Sequence, residues 1–218
     1  MKNVLLIIIF FLSITYLFSQ NETDSINPNG LTVFHYENGR ISSVGTMRDG
    51  KPDGYWKTFY EDGVVKSEGK RLNFELDSVW TFYNDTGKVV VQITYQNGKK
   101  NGIRRTYQED EVMEENFVDD VKQGFTNYYY PNGKLKKEVP FVDGLEEGLG
   151  KKLASDDGRV IELIHYRKGY IEEIENINRI DKNGYKQGKW VWFYPDGNIR
   201  KEGVYKNDLE NGYFKDYD

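Results

Sequence analysis

Two histidines, His35 and His165, and 35 Asp and Glu side chains are the first groups from which acid-base or metal chemistry could be assembled, and the chain has no cysteine. That absence excludes disulfides, thiolate zinc sites, iron-sulfur clusters and cysteine nucleophiles, and two histidines cannot supply a three-histidine metal site. No serine sits in a nucleophile elbow, so the histidines do not complete a triad. Glu68, Glu138 and Glu202 recur at one position of a repeat. A carboxylate dictated by a repeat period reads as a ladder charge paired with lysine across a strand rather than as an acid-base catalyst. The acidic turns Asp156-Asp157-Gly158 and Asp119-Asp120 lack the alternating ligands of a calcium loop. The expectation is a protein without catalytic residues, cofactor or metal.

The elements that carry these residues follow a rhythm. Gly30, Gly54, Gly102, Gly124, Gly148, Gly188 and Gly212, with Ser78 in the gap, are spaced by 24, 24, 24, 22, 24, 40 and 24 residues. A second series lies nine residues behind: Gly39, Gly63, Gly87, Gly133 and Gly197, with Glu111 and Asp157 in two degenerate copies. Between them sit strand-forming aromatics, as in Gly54-Tyr-Trp-Lys-Thr-Phe-Tyr-Glu-Asp-Gly63 and Gly188-Lys-Trp-Val-Trp-Phe-Tyr-Pro-Asp-Gly197. The Asn-Gly and Asp-Gly pairs that close each cluster accept positive φ, and a second apolar-patterned strand follows each. Looser turns such as Asp49-Gly50-Lys-Pro-Asp-Gly54 then join hairpin to hairpin. Connections this short join only adjacent antiparallel strands. The fold class is therefore all-β: an elongated, twisted antiparallel meander of about seven to eight hairpins of ~24 residues, whose aromatic ladder is the core because no single hairpin can bury its own face.

In sequence the chain divides into an apolar leader (1–19), a polar linker (20–29), a repeat array (30–168), an irregular insert (169–183) and C-terminal repeats of the same array (184–218). The leader has Lys2 followed by a nearly unbroken apolar run from Val4 to Phe18, the length of a signal-peptide core and short of the ~20 residues of a membrane span. Export with cleavage near Ser19 is expected over an uncleaved anchor, which places the protein in the periplasm, at the outer membrane or outside the cell. Loss of Lys2 takes the formal charge from -5 to -6, which disfavours nucleic acid as a partner. In the insert, Ile171, Ile174, Ile177 and Ile180 recur every third residue, fitting neither strand alternation nor a helical stripe, and an irregular strand pair or short helix is expected.

The pattern Gly-x-Trp-x-x-Tyr-Tyr-x-Asn-Gly, followed by Leu, Glu and Tyr, resembles the MORN-repeat-variant family, with Gly54 to Gly63, Gly124 to Gly133 and Gly188 to Gly197 matching best. The resemblance covers nearly everything from Gly30 to Asp218. It implies an elongated antiparallel sheet and no catalytic residue, and bacterial members are often labelled antitoxin components of toxin-antitoxin systems.

Function then turns on the tyrosines. Adjacent aromatics in a strand point to opposite faces, so one partner of each pair should pack inward and the other outward. Tyr60, Phe82, Tyr130 and Tyr194 are the expected binding-surface aromatics. The expected function is an exported, non-enzymatic β-repeat protein acting as a protein-interaction or envelope-associated scaffold, with a protein partner. The alternatives are an antitoxin-like protein that neutralises a partner toxin, and a carbohydrate-binding module that uses the aromatic row on envelope polysaccharide.

Overall fold

The computed structural model describes residues 26–218, and every regular element among them is a β-strand. The first hairpin is β1 (Gly30–His35) and β2 (Ile41–Arg48), followed by β3 (Lys51–Phe59), β4 (Val65–Leu72), β5 (Glu75–Tyr83), β6 (Val89–Gln96), β7 (Lys99–Tyr107) and β8 (Val112–Val118). Then come β9 (Val121–Lys122), β10 (Gly124–Tyr129), β11 (Leu135–Val142), β12 (Leu145–Glu146), β13 (Gly148–Leu153), β14 (Val160–Arg167) and β15 (Tyr170–Asn176). These form one 15-stranded sheet in sequence order, with β9 and β12 as short strands off the main path. A 4-stranded sheet follows, made of β16 (Arg179–Ile180), β17 (Lys186–Phe193), β18 (Ile199–Lys206) and β19 (Leu209–Asp216). All pairings are antiparallel, as the short connections require.

The two kinds of turn exchange the characters read from the sequence. In the loops closed by Gly39, Gly63 and Gly133, the positive φ belongs to the glycine and not to the Asn or Asp before it, and a register shift follows at Phe34/His35, Thr58/Phe59 and Tyr128/Tyr129. The turns between hairpins are the tight ones: Asp49 and Gly50 (φ 51 and 72), Asn97 and Gly98 (φ 52 and 75), and Asp143 and Gly144 (φ 49 and 82) have both central residues at positive φ. That backbone matches strand twist, whereas a type I loop needs a bulge to rejoin the ladder.

One face of the large sheet carries the core. Trp56 pairs with Gly45 on one side and Gly69 on the other, and a Cβ on either Gly45 or Gly69 would stand 2.2 or 2.4 Å from the indole ring of Trp56 or Trp80 respectively. Glycine is required there so that the ring can lie flat on the neighbouring strand. Trp56 and Trp80 donate their indole N–H groups to the Thr46 and Lys70 carbonyls at 2.9 Å. They pack with Met47, Phe34, Leu76, Phe82 and Tyr95. Further along, Val139, Phe141, Ile164 and Tyr166 form a second cluster. In the degraded copy, Gly150 stands where the tryptophan would be, because Tyr166 from the next strand fills that space, 2.8 Å from where a Cβ would sit. Between the clusters lies a buried polar step: Glu115, 3% exposed, is held by Lys122 Nζ at 2.6 Å and Arg104 Nη1 at 3.5 Å. Burying that carboxylate requires both cations.

The segment 169–183 supplies β15, which extends the large sheet, and β16, which begins the small one. In β15 the register jumps from His165↔Glu173 to Tyr166↔Ile171, leaving Glu172 as the extra residue. That bulge puts Ile171 and Ile174, three residues apart, opposite the core residues Tyr166 and Ile164. The chain then turns so that the small sheet packs back on the opposite face of the large one. Leu163, Ile177 and Val191 are buried there, against Leu149, Val160, Phe193 and Ile199.

Candidate functional site

On that opposite face each repeat places one polar ladder and one apolar row. Lys57 pairs with Glu68 at 2.9 Å, Arg105 with Glu114 at 2.8 Å, Lys151 with Glu138 at 3.4 Å and Lys189 with Glu202 at 3.2 Å. The hydroxyls of Tyr83 and Tyr217 donate to Glu68 and Glu202 at 2.6 and 2.8 Å, and Tyr107 donates to Gln92 at 2.7 Å. Hydrogen bonds from Tyr83 and Lys57 hold the Glu68 carboxyl below its ordinary value, while the Glu68 carboxylate pushes the Tyr83 phenol up to about 12. For Glu202 burial pushes the pKa up, but the Tyr217 and Lys189 hydrogen bonds outweigh it and the net shift is downward. A carboxylate held ionised by a phenol and an ammonium is a strut and a poor proton carrier at neutral pH.

The aromatics expected from the sequence divide between two locations. Tyr60, Tyr130 and Tyr194 each donate their hydroxyl across to the next repeat, to the carbonyls of Tyr83 (2.8 Å), Leu153 (2.9 Å) and Tyr217 (2.8 Å), and Tyr36 does the same to Phe59. Each bond spans 23 residues, so these tyrosines tie successive hairpins together at their turns. Phe82 lies instead on the core face, half-buried and tilted against Trp80 with ring centroids 6.4 Å apart. The structure therefore does not bring the four into one row.

The row that is open to solvent sits elsewhere. Leu31 (65% exposed), Tyr55 (53%), Val79 (51%) and Phe125 (46%) each directly follow the first residue of a repeat (Gly30, Gly54, Ser78 and Gly124), with Ile103 half-buried between Val79 and Phe125. They occupy alternate strands, about 9–10 Å apart at twice the inter-strand spacing. Leu149 continues the row and is covered by the small sheet. Their signal in the sequence is simple alternation: a residue one step before a buried tryptophan, as Tyr55 is before Trp56, must face the other way. A lysine frames the row's one tyrosine, with Lys57 Nζ 5.9 Å from the Tyr55 ring centroid.

His35 and His165 are both exposed on separate strands, β1 and β14, at opposite ends of the large sheet. Among the described residues no three His, Asp or Glu side chains gather as a metal would need.

The family model for the MORN repeat variant matches the chain at residues 52–73, 76–97, 126–143 and 186–207. These four segments are similar to the MORN repeat variant. The matches fall on hairpins of both sheets, so the small sheet repeats the hairpin unit of the large one. MORN repeats are in general protein- or membrane-binding repeats. No curated protein is significantly similar to the chain.

Proposed function

We propose that this MORN-repeat chain is an exported, non-enzymatic scaffold that binds a protein partner in or near the cell envelope. The observation that carries the reading is the apolar row Leu31, Tyr55, Val79 and Phe125 on an open sheet face, flanked by charges already paired within the sheet. A surface whose ions are internally satisfied offers apolar area without a large charge desolvation cost, which suits protein contact. Supporting export, the Val4–Phe18 apolar run behind Lys2 has signal-peptide proportions; it lies outside the described residues. Supporting a non-enzymatic role, the conspicuous carboxylates Glu68 and Glu202 serve as struts between repeats.

The test is in-cell crosslinking of the tagged chain, comparing the wild type with Tyr55→Glu, Val79→Glu and Phe125→Glu combined. A discrete envelope-protein adduct that disappears in the triple variant is the expected result. An unchanged adduct pattern would remove the row from the account.

A further inference from the structure

The repeats act as internal controls for one another. Counting the first residue of each repeat as position 1, position 4 faces a residue of the second strand, at position 15 in the regular copies, 13 in the shortened copy (Arg105 and Glu114) and 16 in the degraded copy (Lys151 and Leu163), and on the open part of the sheet both are polar: Lys57 and Glu68, Thr81 and Gln92, Arg105 and Glu114. These positions turn apolar at only four places between Gly30 and Asp218. Two are Leu163 and Val191, and they are buried together where the small sheet covers the large one. The other two are Val33 and Val44, paired directly on hairpin β1–β2, half-buried, with the exposed Leu31 and Ile41 on the same hairpin.

We infer that a second copy of this chain packs its β1–β2 hairpin face to face on this one, about a two-fold axis that lies midway between the two facing Val33–Val44 pairs. The occupant follows from three features. The element that covers Leu163 is a hairpin of the same repeat, β17–β18, presenting Val191, Phe193 and Ile199. The apolar row also runs unbroken from Leu149, beneath that cover, out to Leu31 at the far end, so the free surface is continuous with an interface the chain already makes with itself. Finally, β1 has no Asp, Glu, Lys or Arg, whereas the edge strand β15 carries Glu172, Glu173 and Glu175. A two-fold axis sets each residue near its own copy, so an uncharged apolar patch tolerates self-association and an acidic strand opposes it. One hairpin face is smaller than the ~800 Å² per partner of a standard interface, so the dimer is concentration-dependent rather than obligate. The inference stands apart from export and from the envelope partner, because its readout uses purified protein alone.

Sedimentation velocity over a dilution series of the purified chain is expected to show reversible monomer and dimer. Val44→Lys should raise the dissociation constant at least about tenfold, with the circular dichroism spectrum and melting curve retained. Facing sheets stand about 10 Å apart, beyond disulfide reach, and the chain has no cysteine of its own, so Val44→Cys should be captured as a covalent dimer by a short bis-maleimide at low protein concentration, while Phe125→Cys on the same face should stay monomeric. A wild type that is monomeric throughout, a dimer indifferent to Val44→Lys, or equal crosslinking at both cysteines would each overturn the assignment. If Val44→Lys does not fold, the cysteine pair decides.

Discussion

Asn178 hydrogen-bonds to Val191 as a strand would. Its Oδ1 accepts from the Val191 N–H at 2.7 Å and its Nδ2 donates to the Val191 carbonyl at 3.0 Å, while Nδ2 also reaches the Val160 carbonyl at 2.9 Å. The partner strand β16 is only two residues long, so one buried amide side chain continues the edge of β17 and fastens it to β14. Its φ of 52° is one that asparagine tolerates and most residues do not.

Asn178→Ala leaves the Val191 N–H and two carbonyls without that partner, at about 1–3 kcal/mol for each buried group left unpaired. The expected loss is roughly 3 kcal/mol or more, read from urea unfolding. Proteolysis between Ile177 and Tyr185 should accelerate as the small sheet comes away. A loss under about 1 kcal/mol would mean that the apolar cluster of Leu163, Ile177 and Val191 holds the joint alone.

Gly69→Ala tests the flat tryptophan. A methyl there meets the Trp80 ring at 2.4 Å, and overpacking of this kind costs about 1–3 kcal/mol. Gly63→Ala, with φ +96 and nothing within 4 Å, is strained by its backbone alone. A double-mutant cycle with Trp80→Leu separates them: residues 69 and 80 should couple, and residues 63 and 80 should not.

The Tyr83–Glu68 bond makes stability depend on pH at both ends. Glu68 is depressed from 4.5, so its contribution is present above that value and is lost as pH falls through the lower folded-state value. Tyr83 is raised from 10.0 to about 12, so its contribution is present below 10.0 and disappears as pH climbs toward 12. Tyr83→Phe should flatten the alkaline limb and weaken the acid one, measured as urea midpoints across pH. Identical profiles for the two proteins would show that the bond does not survive in solution.

The glycine series makes the hairpins legible because glycine alone leaves room for a ring pressed on the strand, as at Gly69, and takes positive φ at the least cost, as at Gly54 and Gly63, so period and backbone requirement coincide there. The faces of the aromatic clusters were harder to read. Plain alternation cannot foresee the register shift at Thr58/Phe59, after which Tyr60 reaches into the next repeat instead of facing out. The three-residue spacing of Ile171 and Ile174, which fits neither alternation nor a helix, has the same origin, since a bulge at Glu172 lets residues three apart share a face. Tyr55 and Val79 are legible by alternation, each standing one step before a buried tryptophan and so on the other face. The return of the small sheet depends on Asn178, a lone polar residue whose role exists only in three dimensions.

Export of an interaction scaffold is tested most directly by where the protein resides and where it begins. The full-length chain with a C-terminal tag is expressed in a bacterial host, the cells are fractionated, and the N-terminus is determined by mass spectrometry. The account predicts a chain that starts near Gln20 and lies beyond the inner membrane. Met1 or Lys2 retained on a cytoplasmic protein would contradict it and direct the search for a partner inside the cell.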